Sequence, residues 1–154
     1  MRPALALIEP EIAGNVGALL RTAACFGIVT HIVEPCGFAF SDRSLKRAGM
    51  DYIDAATIMR HDDRAAFITA MSATRRRLVL LTTNGDSRID QFAFCAGDVL
   101  ALGSESKGAP ADVHLAAAAR LRIPLVPGTR SLNIGVAAAI AIAEALRQLD
   151  GFTL

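Results

Sequence analysis

The richest group of polar side chains follows a short apolar segment near the end of the chain. The segment Arg122-Ile-Pro-Leu-Val-Pro-Gly-Thr-Arg-Ser-Leu-Asn133 breaks at two prolines and leads into an Ala- and Ile-rich helix that reaches at least Glu144. Its turn offers backbone N–H groups, a guanidinium and a side-chain amide. In open α/β sheets, ligands bind beyond the carboxyl ends of the strands. The segment therefore predicts a ligand-binding turn.

A second loop, Gly103-Ser-Glu-Ser-Lys-Gly108, follows the apolar run at residues 99–102. It lacks the G-x-G-x-x-G pattern of dinucleotide-binding folds and the lysine of a P-loop. Ser106 has no glycine two positions before it, which excludes the G-x-S-x-G elbow of serine hydrolases. Gly103 would let a ligand approach the backbone and Glu105 can accept hydrogen bonds. An ordinary tight turn before a helix explains the glycines equally well.

Alternating apolar and amphipathic segments predict the elements that carry these loops. Strands that alternate with helices indicate an α/β fold, in which a mostly parallel sheet is flanked by helices. The length suits a single domain over residues 1–154. We expect strands at 4–8, 30–33, 53–59, 78–83, 98–103 and 121–126, and helices at 19–26, 42–48, 61–71, after Pro110 and at 133–149.

Composition limits the classes of protein to which the chain can belong. Apolar residues make up 53% and aromatic residues 5%, so the core is expected to consist of Ala, Leu, Ile and Val. No apolar run reaches the roughly 18 residues of a membrane span. Glu9 follows the first apolar run too early for a signal peptide. A cytoplasmic protein is therefore expected.

The cysteines and histidines show no metal-ligating spacing. There is no C-x-x-C pair and no H-E-x-x-H sequence, so we expect no metal site and buried, reduced thiols. These residues are Cys25, Cys36, Cys95, His31, His61 and His114.

Basic residues cluster locally although the net charge is only +1. Arg43, Lys46 and Arg47 recur at helical spacing, and the run Arg75-Arg76-Arg77 precedes a strand. Either group can form a basic patch on a nearly neutral protein. A solvated helix or loop face is the alternative, and it is the interpretation we favour for the triple-arginine run.

The final helix is apolar on nearly every face from Val136 to Ala143. A helix of this kind is covered on more than one side. One side can be the sheet and the other a second copy of the protein, since small monomers rarely expose a large apolar patch. A wholly internal helix is the alternative to this homodimer.

Three segments together are more specific than any one of them. Asn15-Val-Gly-Ala-Leu-Leu-Arg21, the loop at 103–108 and the segment at 123–133 resemble, in that order, the three motifs of the SPOUT-class (SpoU-like) RNA 2′-O-methyltransferases. The stretch from Glu34 to Tyr52 is similar to the branch that methylates the tRNA wobble nucleotide. The resemblance covers nearly the whole chain.

This resemblance implies a C-terminal trefoil knot and a site for S-adenosylmethionine. The knot has no basis in general chain topology, because folds avoid knots. Plain core packing is the alternative role for Leu81 and Ile123. By the resemblance, the cofactor is expected at Leu81, Thr82, Gly103, Glu105, Ile123, Ser131 and Leu132.

The resemblance also implies catalytic residues. Arg21 matches the catalytic arginine of the family, although a guanidinium is a poor proton acceptor. We therefore expect Arg21 to orient the target phosphate and stabilise alkoxide charge; without the motif it would be an exposed helix arginine. Asn15 and Asn133 match polar site residues that hold the nucleotide or fix the loops. Glu105 is expected to pair with an arginine, either of its own chain or across the dimer interface. Gly135 departs from the serine of many relatives.

The function expected from these residues is that of a homodimeric, metal-independent tRNA 2′-O-methyltransferase acting on the wobble pyrimidine. Without an appended RNA-binding domain, the catalytic domain itself is expected to hold the tRNA. Arg43, Lys46 and Arg47 are the expected phosphate contacts, because they share a helix face. A non-catalytic RNA- or nucleotide-binding protein and a methyltransferase for ribosomal RNA are the alternatives.

Overall fold

The computed structural model describes residues 1–47 and 55–152. Within them, parallel strands alternate with helices along most of the chain. The strands are β1 (Ala4–Ile8), β2 (Thr30–Val33), β3 (Ile58–His61), β4 (Leu78–Leu81), β5 (Ser87–Arg88), β6 (Val99–Leu102) and β7 (Ala119–Arg122). The helices are α1 (Ala13–Cys25), α2 (Asp42–Arg47), α3 (Arg64–Thr74), α4 (Ala111–Ala116) and α5 (Ile134–Gln148).

The strands form one sheet in the order β3-β2-β1-β6-β4-β7-β5, and every neighbouring pair is parallel. Leu102 at the end of β6 is in register with Leu7 on one side and Leu81 on the other. Leu81 is in turn in register with Leu121 of β7. The carboxyl ends of the central strands therefore lie at one edge, where the loops that follow them meet.

Alternate strand residues face two cores, one on each side of the sheet. Leu5 and Leu7 of β1 pack on the side of α1, α2 and α5. Ala4, Ala6 and Ile8 pack on the side of α3 and α4. Because both faces are covered, the central strands are continuous apolar runs, as the sequence suggested for residues 99–102.

The predicted α/β class is confirmed, with changes at several boundaries. The first two strands match the predicted ranges, but α1 begins at Ala13 rather than at 19 and includes glycines that the sequence placed in a loop. β7 ends at Arg122 rather than at 126. Pro124 and Pro127 have no N–H to donate to a sheet ladder, so the chain leaves the sheet there. The short strand β5 was not predicted.

Two predictions about surface groups are wrong in part: the solvated face expected for the triple-arginine run, of which only Arg75 is exposed, and the burial expected for the thiols. Arg77 is part of the structural framework rather than of a solvated face, because its guanidinium donates to both carboxylate oxygens of Asp98, at 2.8 and 2.6 Å. Arg76 donates to the carbonyl of Gly97 at 2.8 Å. The thiols of Cys25 and Cys95 are exposed, whereas Cys36 is half-buried. No helix in the described ranges is long and apolar enough to span a membrane.

A buried histidine pair lies between the sheet and α3. Nδ1 of His31 and Nε2 of His61 share a hydrogen bond of 2.9 Å, and both rings pack against Phe67. Nε2 of His31 has no hydrogen-bond partner among the described residues. Burial, followed by the neighbouring His61 and Arg76, lowers the pKa of His31 to about 4.

This pair predicts acid-sensitive stability. The unfolded chain protonates His31 below its ordinary pKa of about 6.5, whereas the folded protein does so only near 4. The free energy of unfolding is therefore expected to fall as pH drops through this window, by up to about 3 kcal/mol. Urea unfolding of the protein and of His31→Leu near pH 7.5 and about pH 5 tests this. An equally steep pH dependence in His31→Leu would contradict it.

Candidate active site

A cavity of about 830 Å³ lies beyond the carboxyl ends of β4, β6 and β7. Its walls come from the start of α1, the segments after β4 and β6, and the turn that joins β7 to α5. This volume is within the range of about 300–1,000 Å³ typical of small-molecule sites. The strand ends thus enclose a cavity of the size needed for a small molecule.

All seven residues expected at the cofactor line this one cavity. Three of them, Leu81, Ile123 and Leu132, provide half-buried apolar surface. Leu81 and Ile123 also pack against the hydrophobic core, so these two side chains belong to both the core and the cavity wall. The remaining four are Thr82, Gly103, Glu105 and Ser131.

Asn15 and Asn133 join two helix starts at the cavity wall. Nδ2 of Asn133 donates to Oδ1 of Asn15 at 3.2 Å. Oδ1 of Asn133 accepts from the backbone N–H of Gly135 at 2.8 Å and so caps α5. These hydrogen bonds tie the starts of α1 and α5 together at the cavity wall.

Glu105 caps α1 from a distant part of the chain. Its carboxylate accepts from the backbone N–H groups of Glu11 at 2.8 Å and Ile12 at 3.2 Å, and from Nδ2 of Asn15 at 3.2 Å. Both N–H groups lie just before α1, whose N-cap residue Ile12 makes no side-chain capping hydrogen bond of its own. Among the described residues of this chain, Glu105 has no arginine partner, and its carboxylate instead contacts the start of α1.

Glu11 is a site residue that the sequence analysis missed. Its carboxylate accepts from the hydroxyl of Ser106 at 2.6 Å and from the Ser106 backbone N–H at 2.9 Å. These two hydrogen bonds, the hydroxyl first, hold the pKa of Glu11 below its usual range. Together with Glu105 they form a reciprocal clasp between the start of α1 and the loop at 103–108. No local pattern signals it, because the partners are far apart in sequence.

The chain itself requires a glycine at position 103. A Cβ atom there would lie 2.1 Å from the backbone of Gly108 and Ala109, so this close approach alone excludes a larger residue. Ser104 and Gly108 exchange backbone hydrogen bonds of 3.0 and 2.9 Å. Gly108 also has φ of +70°, which favours glycine. The loop is a closed tight turn with Glu105 at its tip.

Arg21 lies outside the cavity wall. It is exposed on α1, on the face that also carries Ala18 and Cys25. An α-helix turns by about 100° per residue, so Asn15 and Arg21 point to different sides of α1. The structure therefore brings Asn15 and Asn133 together but leaves Arg21 apart from them.

The expected RNA contacts lie on α2. The side chains of Arg43 and Lys46 are exposed, while Leu45 anchors the helix in the core. Ser41 and Ser44 exchange side-chain to backbone hydrogen bonds at its start. The side chain of Arg47 and residues 48–54 of the branch-specific stretch lie outside the described part of the protein. Two of the three predicted phosphate contacts are thus on a solvated surface.

Several cavity residues were not predicted as site residues. They are Asn84, Lys107, His114, Arg130 and Ala137. Of these, the sequence analysis had singled out only Arg130, whose guanidinium was noted as part of the ligand-binding turn. Within the described residues, no group of at least 3 His, Cys, Asp or Glu side chains is placed to hold a metal ion.

Residues 2–143 match the model of the SpoU rRNA methylase family. The chain belongs to this family. One of its relatives, the tRNA (cytidine(34)-2′-O)-methyltransferase of Ancylobacter novellus, is 52% identical over 152 residues, which cover 99% of this chain and 96% of the relative.

Solved structures connected with RNA methylation have a similar fold. One, described as giving structural insights into the 2-OH methylation of C/U34 on tRNA, has a TM-score of 0.90 and 38% identity over 98% of both chains. An AdoMet-bound rRNA methyltransferase from Sinorhizobium meliloti has a TM-score of 0.85 and 29% identity, over 96% of this chain and 57% of that chain.

Gly135, at which the sequence was expected to depart from the family pattern, lies directly against the cap of α5. A Cβ atom there would be 3.1 Å from Oδ1 of Asn133, which is tighter than ordinary van der Waals contact. The glycine at this position therefore leaves room for the side-chain oxygen of Asn133 to cap the helix.

Proposed function

We propose that this protein transfers the methyl group of S-adenosylmethionine to the ribose 2′-hydroxyl of the pyrimidine at the tRNA wobble position. The observation that carries the proposal is the cavity, which gathers all seven expected cofactor residues together with Asn15 and Asn133. The similarity to a tRNA (cytidine(34)-2′-O)-methyltransferase over nearly the whole chain supports the choice of substrate.

The cavity suits S-adenosylmethionine in its donor set. Leu81, Ile123 and Leu132 offer apolar surface to an adenine ring, while Thr82 and Ser131 supply hydroxyl groups beside it. When bound, S-adenosylmethionine supplies an electrophilic methyl group on a sulfonium. The tight turn at Gly103 and the two asparagines keep the walls of the cavity in place.

The remaining requirement is to position a weakly acidic ribose hydroxyl. Orientation of the reacting groups supplies much of the rate of such a transfer. Arg21 is suited to orient a phosphate of the substrate and to stabilise developing alkoxide charge. Asn15 and Asn133 hold the two helix starts, and thereby the loops, in a fixed arrangement.

We propose that the protein is a homodimer formed through α5 and α1. Val136 and Ile140 are 49% and 38% exposed, and with Ala143 they form an apolar stripe on α5. The neighbouring α1 exposes Ala18 and Arg21. Pairing would cover the apolar stripe and bring Arg21 of one subunit towards the other, which accounts for its separation from the cavity in a single chain.

We also propose that residues 1–154 act as one domain and that the protein works in the cytoplasm, where tRNA is found.

We propose further that the turn at 123–133 is threaded in a trefoil knot. The close passage of the segment after β4 against the end of β7 supports the knot. A Cβ atom at Gly85 would lie 2.3 Å from the backbone of Leu121, and Thr82 donates to the Leu121 carbonyl at 2.9 Å. An experimental structure traced through residues 119–148 tests the threading.

Incubation with S-adenosylmethionine and unmodified tRNA, followed by mass spectrometry of the nucleosides, tests the function. We expect a 2′-O-methylated pyrimidine at the wobble position. A product on ribosomal RNA alone would instead favour the second alternative, and no product on any RNA would favour the non-catalytic one.

Replacing Lys46 by glutamate is expected to weaken tRNA binding and to lower its salt dependence by about one unit of log–log slope, because a phosphate contact is lost. Affinity for S-adenosylmethionine is expected to stay unchanged, since α2 lies apart from the cavity wall. Filter binding across a salt series measures both effects. Arg75→Glu is the control, because Arg75 is an exposed arginine at the carboxyl end of α3. Unchanged tRNA affinity in Lys46→Glu would remove the assignment.

A further inference from the structure

A second cavity of about 370 Å³ adjoins the first. The segment at 122–130 forms most of its wall, with Thr83 and Arg88 opposite. Four residues, Thr83, Ile123, Leu125 and Arg130, line both cavities. A chain molecule that enters the first cavity can therefore continue directly into the second.

The second cavity carries positive charge that is only partly neutralised among the described residues. Its lining includes Arg88, Arg122 and Arg130 but no carboxylate. Arg88 is paired with Asp90. Neither Arg122 nor Arg130 forms an ion pair within residues 1–47 and 55–152. Two uncompensated guanidinium groups thus line one small cavity.

Arg122 is also fixed in orientation. Its Nη1 donates to the carbonyls of Gly85 at 2.6 Å and Asp86 at 3.2 Å. Carbonyl oxygens hold the guanidinium without cancelling its charge, so its remaining N–H groups are available to an anion. A guanidinium suits phosphate in particular, because its planar fork matches two phosphate oxygens.

Apolar side chains in the same cavity indicate a ligand that has an apolar part as well as an anionic group. Val126 is 74% exposed and Leu125 is 38% exposed, and both line the cavity beside Pro124 and Pro127. Exposed apolar surface next to guanidinium groups matches a nucleotide, which has a flat base and a charged phosphodiester.

We propose that this second cavity binds the nucleotide adjacent to the methylated one, with its phosphodiester on Arg122 and Arg130 and its base against Leu125 and Val126. The proposal rests on the proposed RNA substrate and adds to it a specific contact surface. It is separate from the contacts expected on α2. The two cavities share part of their lining, so the distance between them is short. This suits the target ribose and the next phosphodiester, which are consecutive in one RNA strand.

Binding of a fluorescent anticodon stem-loop RNA, measured by anisotropy over a salt series, tests the proposal. Arg130→Gln is expected to weaken RNA binding about tenfold and to lower the log–log salt slope by about one. Arg130→Lys is expected to retain the slope but to lose part of the affinity, because a lysine contacts phosphate as a point charge. Arg130 is exposed, so these variants are expected to fold. Arg75→Gln is the matched control for loss of one exposed arginine.

Calorimetry with S-adenosylmethionine shows whether Arg130 contacts the RNA or the cofactor. The affinity for S-adenosylmethionine is expected to be unchanged in Arg130→Gln. A loss of cofactor affinity would place the guanidinium on the cofactor and overturn the proposal. Unchanged RNA affinity and salt slope would also overturn it. If the unaltered protein bound RNA without methylating it, the proposed function would fail, and the comparison with Arg130→Gln would still decide the nucleotide site.

Discussion

Replacing Arg21 by alanine is expected to lower kcat by about 100-fold or more, with little change in the affinity for S-adenosylmethionine. Arg21 is exposed on α1 and does not line the cavity, so its loss leaves the cofactor walls intact. The kcat of Arg21→Lys is expected to lie between that of Arg21→Ala and that of the unaltered protein. Lysine keeps the positive charge but lacks the planar guanidinium that can donate two parallel hydrogen bonds. Single-turnover methylation and calorimetry provide the measurements, with Arg75→Ala as the control. Full activity in Arg21→Ala would refute a catalytic role.

Mixed dimers decide whether Arg21 serves the cavity of its own chain or that of its partner. Ser131 is exposed and lines the cavity, so Ser131→Trp is expected to block cofactor binding while preserving the fold. If the site is shared across a two-fold interface, randomly mixed Arg21→Ala and Ser131→Trp subunits recover about a quarter of the original activity, because one site in each mixed dimer is intact. If each chain serves itself, mixing recovers nothing.

The sequence predicted the parts of the fold that rest on local patterns. Continuous apolar runs located the central strands, since both faces of the sheet are covered. The start of α1 was misplaced because the contact beside it is remote in sequence: Glu105 accepts from the N–H groups of Glu11 and Ile12, just before the helix. The end of β7 was misplaced because apolar residues continue beyond Arg122, although the two prolines end the ladder.

The candidate site was predicted through resemblance rather than through local pattern. The seven expected cofactor residues line one cavity because the parallel strands end at one edge of the sheet. Ligand sites in open α/β sheets generally lie at that edge. The pairing of Glu11 with Ser106 was not accessible, because it depends on how α1 meets a loop distant in sequence. The same holds for Arg122, whose role depends on the carbonyls of Gly85 and Asp86.

Glu105→Ala is expected to lower both stability and cofactor affinity. The substitution removes the acceptor for two backbone N–H groups at the start of α1 and for the amide of Asn15. Loss of a helix cap and of partly buried hydrogen bonds costs about 2 kcal/mol in the free energy of unfolding. Since Asn15 in turn holds Asn133, the wall formed by α5 is expected to loosen as well.

A double-mutant cycle separates this positioning role from simple loss of stability. If Glu105 acts through Asn15, the effects of Glu105→Ala and Asn15→Ala on cofactor affinity are less than additive, with a coupling of at least about 0.5 kcal/mol. Glu105→Gln keeps an acceptor oxygen and the side-chain length, so it is expected to recover part of the affinity. Calorimetry of the four proteins at a temperature where each is folded gives the coupling. Strict additivity would mean that Glu105 supports the cavity without Asn15, through the helix start alone.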